Sequence, residues 1–328
     1  MARLMIYGAG YTGHLACEYA STIGLEFMCA GRNENTIKEL ASTLQVQYRI
    51  FSVDNGPTID SALEGIHVLL NCAGPFAYTA KPLIDACIRN EVHYLDISAE
   101  LDSYRYAEDH NEEASRVNVM LLPGCGGSVA MLGCLVSRAL KSLESPVSIE
   151  VALRVAGSMS RGSAISATES LAVECLQRLG GELVPQDVKA MKNFDFDDGR
   201  GDVSCFPITL PDLVTIWKSN GVPTIKTFVH ASENAFPTGD LKNLPDGPMA
   251  EEREMNPYHS AVVVTMADGK INRAALHTAN GYTFTSMASV EAARRVLDGQ
   301  AIAGFQTPVL VFGDGFFETV PGSTIRIL

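Results

Sequence analysis

Gly8-Ala9-Gly10-Tyr11-Thr12-Gly13 follows an apolar run ending at Tyr7 and precedes a helix-like stretch. That context raises a short glycine string to a dinucleotide-binding signature. Gly8 would form the tight turn, Gly10 would admit a pyrophosphate against the backbone, and Gly13 would let helix and strand pack closely. Tyr11 and Thr12 would open the helix, whose free N–H groups and positive dipole end suit phosphate. The bland alternative is a glycine-rich turn that binds nothing. The second strand then ends Ala30-Gly31-Arg32-Asn33, where an NAD site would carry an acidic residue for the ribose 2′-OH. A guanidinium there can pair with a 2′-phosphate in a bidentate manner. Arg32 and Asn33 therefore point to NADP(H), although Glu34 stands beside them.

More reactive side chains follow. Ala73-Gly74-Pro75-Phe76 reads as a rigid turn able to support a nicotinamide ribose, and Tyr78 just beyond it is either a proton donor or a rim tyrosine with a solvated hydroxyl. Asp96, Ser98 and Glu100 alternate and so share one face if the strand continues, where they could hold a carboxamide or tune a donor. Equally, they could cap the next helix and anchor its loop. Arg161, in Ser158-Met159-Ser160-Arg161-Gly162-Ser163, suits a carboxylate or phosphate of a substrate, with solvation as the commoner fate of such an arginine. Cys125 is better read as a small buried apolar group than as a nucleophile. Ser128 lacks the GxSxG elbow of a hydrolase. No HExxH pattern supplies a metal, and Asp195, Asp197, Asp198 and Asp202 lack the bidentate Glu of a calcium loop.

These residues need a scaffold that brings strand ends together. Alternating apolar runs and helix-like stretches predict βαβ units with strands at Ala2–Tyr7, Glu26–Ala30, Gln47–Val53, His67–Cys72, His93–Ile97 and Val119–Leu122. Helices are predicted between them at His14–Ile23, Glu34–Thr43, Ile59–Leu63, Thr79–Asn90 and Ser103–Val117. The fold class is α/β, a Rossmann doubly wound parallel sheet over residues 1–123. A second, smaller α+β domain with an antiparallel sheet follows over 124–328. Ser128–Leu143 reads there as a long apolar helix packing back on the first domain. Ser148–Val155, Ile225–His230, Ala261–Ala267 and Ile271–His277 read as strands, the last two joined by an Asp268-Gly269 hairpin turn. Asn193–Asp202 and Asp240–Pro257 read as polar surface loops, either of which could cover a site.

Composition narrows the function classes. The 328 residues carry a formal net charge of −13 with no Lys/Arg-rich run, which argues against nucleic acid as a partner. No apolar stretch approaches the roughly 18 residues of a membrane span, and no secretion signal fits before the glycine turn. The eight cysteines, Cys17, Cys29, Cys72, Cys87, Cys125, Cys134, Cys175 and Cys205, are scattered without CxxC spacing. A soluble, cytoplasmic protein with reduced thiols is expected.

Further motifs carry a family resemblance: Asn71-Cys72-Ala73-Gly74-Pro75-Phe76, His93-Tyr94-Leu95-Asp96-Ile97-Ser98-Ala99-Glu100 and Leu122-Pro123-Gly124-Cys125-Gly126. With them go Gly281-Tyr282-Thr283-Phe284-Thr285, Gly304-Phe305-Gln306-Thr307-Pro308 and Val320-Pro321-Gly322. Together with the glycine motif they resemble the saccharopine dehydrogenase-like family, including its trans-acting enoyl reductase branch, over nearly the whole chain. The resemblance implies a Rossmann domain, a smaller substrate domain and hydride transfer from NADPH, and it adds Tyr282 as a cleft residue. Saccharopine-forming members have acidic residues after the sixth strand, whereas this chain reads Gly124-Cys125-Gly126-Gly127-Ser128-Val129-Ala130. A less polar substrate is implied, a small metabolite or acyl thioester with a C=C or C=N bond, in secondary metabolism. Tyr78, Ser98, Glu100, Ser128 and Arg161 are expected to converge beside the nicotinamide, and a homodimer is allowed for. A redox-neutral isomerase or cyclase and a non-catalytic NADPH sensor remain as rival readings.

Overall fold

The computed structural model describes residues 3–141, 143–171, 174–232 and 244–328. In chain order it begins with β1 (Leu4–Tyr7), α1 (Tyr11–Thr22), β2 (Phe27–Gly31), α2 (Glu34–Leu44), β3 (Gln47–Ile50) and α3 (Gly56–Leu63). Then come β4 (Val68–Asn71), α4 (Phe76–Arg89), β5 (His93–Asp96), α5 (Leu101–Asp109), α6 (Asn111–Arg116) and β6 (Met120–Leu122). The middle holds α7 (Gly127–Leu140), β7 (Pro146–Val155), α8 (Arg161–Leu171), β8 (Leu176–Leu179), β9 (Glu182–Pro185), β10 (Lys192–Asp195) and β11 (Asp202–Pro207). It continues with α9 (Asp212–Asn220), β12 (Thr224–Ala231), α10 (Ala250–Met255), β13 (Tyr258–Met266) and β14 (Ile271–Thr278). The last stretch contains α11 (Gly281–Leu297), β15 (Gly304–Phe305), α12 (Pro308–Phe312), a 3₁₀ turn at Phe316–Thr319 and β16 (Thr324–Ile327).

Two compact units result, residues 1–127 with 285–312, and residues 128–284 with 313–328. A single boundary after residue 123 is therefore replaced by three crossings between units. In the first unit the strands form one sheet in the order β15-β6-β5-β4-β1-β2-β3, every neighbouring pair parallel. Its central strands read LMIY, VLLN and MLL and are buried throughout, as a parallel sheet covered on both faces requires. Tyr7 lies opposite Ala30 and Asn71, and Asn71 opposite Asp96. This register brings the carboxyl ends of four strands to one edge, where α/β folds bind ligands.

The strands foreseen here all form, mostly one to three residues shorter. The helix expected over Ser103–Val117 divides at His110, which both ends α5 and begins α6. There the Tyr106 carbonyl is shared by His110 N at 3.2 Å and His110 Nδ1 at 2.8 Å. The seventh strand, β15, was not foreseen. It is held by Gly304 N and Gln306 N donating to Val119 and Leu121 carbonyls, and by Phe305 N donating to Asn111 Oδ1 at 2.9 Å.

The second unit's main sheet runs β10-β11-β12-β7-β13-β14-β16, with β8 on β12 and β9 on β8. It is mixed rather than wholly antiparallel, because β12 and β7 pair in parallel. The hairpin at Asp268-Gly269 forms, with Lys270 N on Asp268 Oδ1 and Gly269 at φ +83°. Asn193–Asp202, expected as a loop, instead contributes to the hairpin of β10 and β11. Its Phe194 and Phe196 pack with Ala152, Phe228 and Ala261, and this apolar core outweighs the surrounding charge. Within Asp240–Pro257, residues 240–243 lie outside the described residues and Ala250–Met255 is helical. The apolar helix expected at Ser128–Leu143 is α7. Its Arg138 Nε donates to Asp314 and its Ala139 carbonyl accepts from Asn272, all within this unit.

Candidate nucleotide site

The glycine turn sits where β1 gives way to α1. Gly8 N donates to the Ala30 carbonyl at 2.8 Å, and Gly8 adopts φ +108°. A side chain on Gly8 would meet Ala73 N at 2.7 Å, and one on Gly13 would meet the Gly8 carbonyl at 1.9 Å. Around Gly10, by contrast, a Cβ would find nothing within 4 Å. Two glycines are thus demanded by packing, whereas the third keeps open space before the helix. α1 has no side-chain cap hydrogen bond at Gly10 and no acidic residue in its first turn. Neither the cap position nor the first turn supplies an anion, and the arrangement fits a pyrophosphate. In α2 the corresponding duty is filled internally: Asn33 Oδ1 accepts from Thr36 N at 3.2 Å. Asn33, expected at the cofactor, is first of all a helix cap.

Arg32 is exposed and makes no hydrogen bond or ion pair among the described residues. Beside it the end of β3 is tied in, since Phe51 N donates to the Gly31 carbonyl at 3.1 Å. Tyr7 donates its hydroxyl to the Phe51 carbonyl and tilts against the Phe51 ring at 4.8 Å. Burial pushes the Tyr7 phenol up to about 12, with Arg32 acting downward and Asp54 upward. Both charges are therefore felt in the same corner, and Asp54 also receives Ser52 Oγ at 2.6 Å. Ser52 and Asp54 carried no motif that would have drawn attention to them.

The loops after β4, β5 and β6 are joined by a buried polar network. Asp96 Oδ1 accepts from Ser98 N at 2.9 Å, Ser98 Oγ at 2.8 Å and Gly124 N at 2.7 Å. Its Oδ2 accepts from Tyr94 Oη at 2.8 Å, and its carbonyl accepts from Cys125 N at 2.8 Å. Asn71 Nδ2 donates to Tyr94 Oη and to Thr79 Oγ1, while Asn71 Oδ1 accepts from Ala73 N. Thr79 Oγ1 in turn donates to the Ala73 carbonyl at 2.7 Å. Burial lifts the Asp96 carboxyl to about 6, against the lowering influence of Gly124, Ser98 and Tyr94.

Asp96, Ser98 and Glu100 therefore do not form an alternating row. β5 ends at Asp96, and Ser98 turns back to bond it. Glu100 reaches Phe76 N at the start of α4 and Ala99 N, which ties the Gly74-Pro75-Phe76 turn to the next loop. The Gly74–Pro75 peptide is cis. Asn71 and Tyr94, which stand in the family-like motifs, and Thr79 complete the network, and nothing in their local spacing marks this role.

Tyr78 stands on the first turn of α4 with 68% of its surface exposed. Cys125 is fully buried, and burial pushes its thiol well up, contrary to what a nucleophile needs. Ser128, Arg161 and Tyr282 belong to the second unit. Ser128 is half-buried in the first turn of α7. Tyr282 is nearly buried and its Oη accepts from Ser160 N at 2.6 Å, so this family-like tyrosine holds the loop that precedes Arg161. Arg161 Nε donates to the Leu244 carbonyl at 3.1 Å, and its guanidinium also pairs with Asp246. That guanidinium is engaged by the chain itself. Asp198 pairs with Arg154, and Asp197 with Arg326. Among the described residues no group of three or more His, Cys, Asp or Glu is placed to hold a metal. Nor, among them, is any helix long and apolar enough to cross a membrane.

Residues 4–121 match the family model described as saccharopine dehydrogenase NADP binding domain. The human saccharopine dehydrogenase-like oxidoreductase is 26% identical over 144 residues, covering 38% of this chain and 34% of that protein. The Bos taurus protein of the same name is 27% identical over 117 residues, covering 30% and 27%. The chain thus matches only about a third of the length of these curated relatives. Among solved structures, apo saccharopine dehydrogenase (L-Glu forming) from Saccharomyces cerevisiae superposes with a TM-score of 0.68 at 10% identity, covering 99% of both chains. Homospermidine synthase from Legionella pneumophila, solved in complex with NAD, gives 0.71 at 12% identity, covering 99% of this chain and 91% of that one. At such identities the two structures speak for the fold, which is shared. Residues 4–121 thus resemble the NADP-binding domain of saccharopine dehydrogenases, and the chain as a whole shares the fold of these two structures.

Proposed function

We propose that the protein is an NADPH-dependent reductase acting on a C=C or C=N bond of a small metabolite or acyl thioester in secondary metabolism. The observation that carries the choice of cofactor is Arg32. It is exposed and unpaired among the described residues at the end of β2, whose Ala30 carbonyl accepts from Gly8 N of the glycine turn. A bidentate guanidinium is suited to a 2′-phosphate, whereas the homospermidine synthase neighbour was solved with NAD. When bound, the reduced nicotinamide supplies hydride, and the protein's part is to hold, orient and protonate. Gly8, Gly10, Tyr11, Thr12 and Gly13 would receive the pyrophosphate, and the loops at Ala73–Phe76 and Ser98–Glu100 the nicotinamide half. Tyr78, exposed at the start of α4, is the proton donor proposed within the first unit. The absence of acidic residues over Gly124–Ala130 supports a substrate other than an amino acid amine. A cytoplasmic site of action, without nucleic acid or membrane partners, accompanies this reading.

The test is titration with NADPH and with NADH by nicotinamide fluorescence, for wild type and Arg32→Ala. A preference for NADPH of about tenfold, about 1.4 kcal/mol, is expected, lost in the variant without a change in melting temperature. Equal affinity for the two nucleotides in wild type rejects the 2′-phosphate role of Arg32. Consumption of NADPH with enoyl thioesters or with cyclic imines then separates the two bond types.

A further inference from the structure

We infer that Asp96 is a positioning residue: its buried carboxylate fastens the loops after β4, β5 and β6 into one seat for the nicotinamide half of the cofactor. Nucleotide affinity then depends on that carboxylate being ionised. The inference rests on nicotinamide nucleotide binding and not on the identity of the substrate. Three observations on separate elements carry it. Gly124 N, from the loop after β6, and Ser98 N and Oγ, from the loop after β5, all donate to one oxygen of Asp96. The other oxygen receives Tyr94 Oη, which accepts from Asn71, and Asn71 positions Ala73 N in the loop after β4. These are the carboxyl ends at which an open parallel sheet receives its ligand.

All of these donors require an acceptor, and a carboxylate offers only acceptors. Protonation of the Tyr94-facing oxygen would set two O–H groups against each other. Tyr94 Oη could turn to accept that proton, but it already accepts from Asn71, and its own hydrogen would lose its partner in the interior. The disturbance would pass to Asn71 and so to Ala73.

The other titratable groups facing Asp96 are Tyr94 on β5, Cys72 after β4 and Cys125 after β6. Burial pushes each of them far up, so that they remain neutral across the working range. Among the described residues, the largest influences on Asp96 are burial and hydrogen bonds from Gly124, Ser98 and Tyr94, not a charged side chain. With its carboxyl lifted to about 6, Asp96 is the member of this network that changes charge near neutral pH.

The test compares full-length wild type with Asp96→Asn, and with Ser98→Ala in case the first variant folds poorly. NADPH dissociation constants are measured from pH 5 to pH 8, and the variant-to-wild-type ratio is taken at each pH. The ratio cancels the ionisation of the cofactor's own phosphate. It is expected to be about tenfold at pH 8 and to approach one at pH 5, because wild-type Asp96 is then protonated too. Ser98→Ala is expected to weaken binding severalfold at pH 8 and to retain the wild-type pH trend. Hydrogen exchange without nucleotide supplies a second readout: Asp96→Asn should raise exchange together in 73–76, 98–101 and 124–127. A ratio that does not vary with pH, or increased exchange confined to 98–101, overturns the inference while leaving the cofactor reading intact. Failure of wild type to bind either NADPH or NADH removes the cofactor reading itself, and the role of Asp96 with it.

Discussion

Gly10 and Gly13 belong to one motif yet answer to different forces, and single substitutions separate them. Gly13 faces the Gly8 carbonyl so closely that Gly13→Ala should destabilise the fold by about 1–3 kcal/mol, read by urea denaturation, as overpacking does. Gly10 has φ −73° and open space around it, so Gly10→Val should cost only about 1 kcal/mol, the loss of a favourable N-cap residue. The same variant should lose nucleotide affinity by about tenfold or more, because its side chain would occupy the pyrophosphate's approach. Wild-type binding by Gly10→Val would mean that the phosphates lie elsewhere. The motif itself was readable in the sequence. So were the separate duties of its glycines; the fold adds the atoms that enforce them, Ala73 N against Gly8 and the Gly8 carbonyl against Gly13, which come close only in the tertiary structure.

Asn33 and Asn111 show the same dependence among elements. Asn33 caps α2, and Asn33→Ala should lower stability by about 1 kcal/mol while changing NADPH affinity less than Arg32→Ala does. A loss of affinity as large as that of Arg32→Ala would give Asn33 a direct cofactor contact. Asn111 begins α6 and accepts from Phe305 N, so the side chain anchors a strand 194 positions away. Asn111→Ala should cost about 1–3 kcal/mol, since it strands a buried backbone donor, and chemical denaturation would register it. β15 is two residues long and has no periodicity to detect. The hairpin of β13 and β14, with its alternating strands and Asp-Gly turn, was legible from local pattern alone, whereas the charged segment that became the β10–β11 hairpin was not. There Phe194 and Phe196 decide the outcome by what they pack against.

At the scale of the molecule, buried ionisable groups set the response to pH. Asp212 at the start of α9 is fully buried, neither carboxyl oxygen has a partner among the described residues, and burial lifts it to about 7. An unfolded aspartate titrates near 3.9, so between that pH and about 7 the folded state binds more protons than the unfolded one. Stability contributed by this group therefore falls as pH rises through the window, and the cost is complete above it. Asp212→Asn should match wild type near pH 4 and exceed it at pH 8 in urea midpoint. His259 acts in the opposite sense. Burial first, then His277 and Arg154, depress it to about 4, against Asp198. It folds neutral, so its contribution is lost as pH falls from about 6.5 toward 4, and His259→Gln should flatten that limb.

The sequence by itself determined the Rossmann unit, the glycine turn, the arginine after β2 and the resemblance of residues 4–121 to a saccharopine dehydrogenase NADP-binding domain. Each is written in short-range spacing, where strand period, helix period and turn chemistry act within a few residues. Tertiary structure alone decided that the chain crosses between its units three times, that a late strand completes the first sheet, and that Asp96 draws three loops together. Those outcomes rest on contacts between residues far apart in the chain. Their energies come from burial and from polar groups needing partners in the interior, which no local pattern encodes.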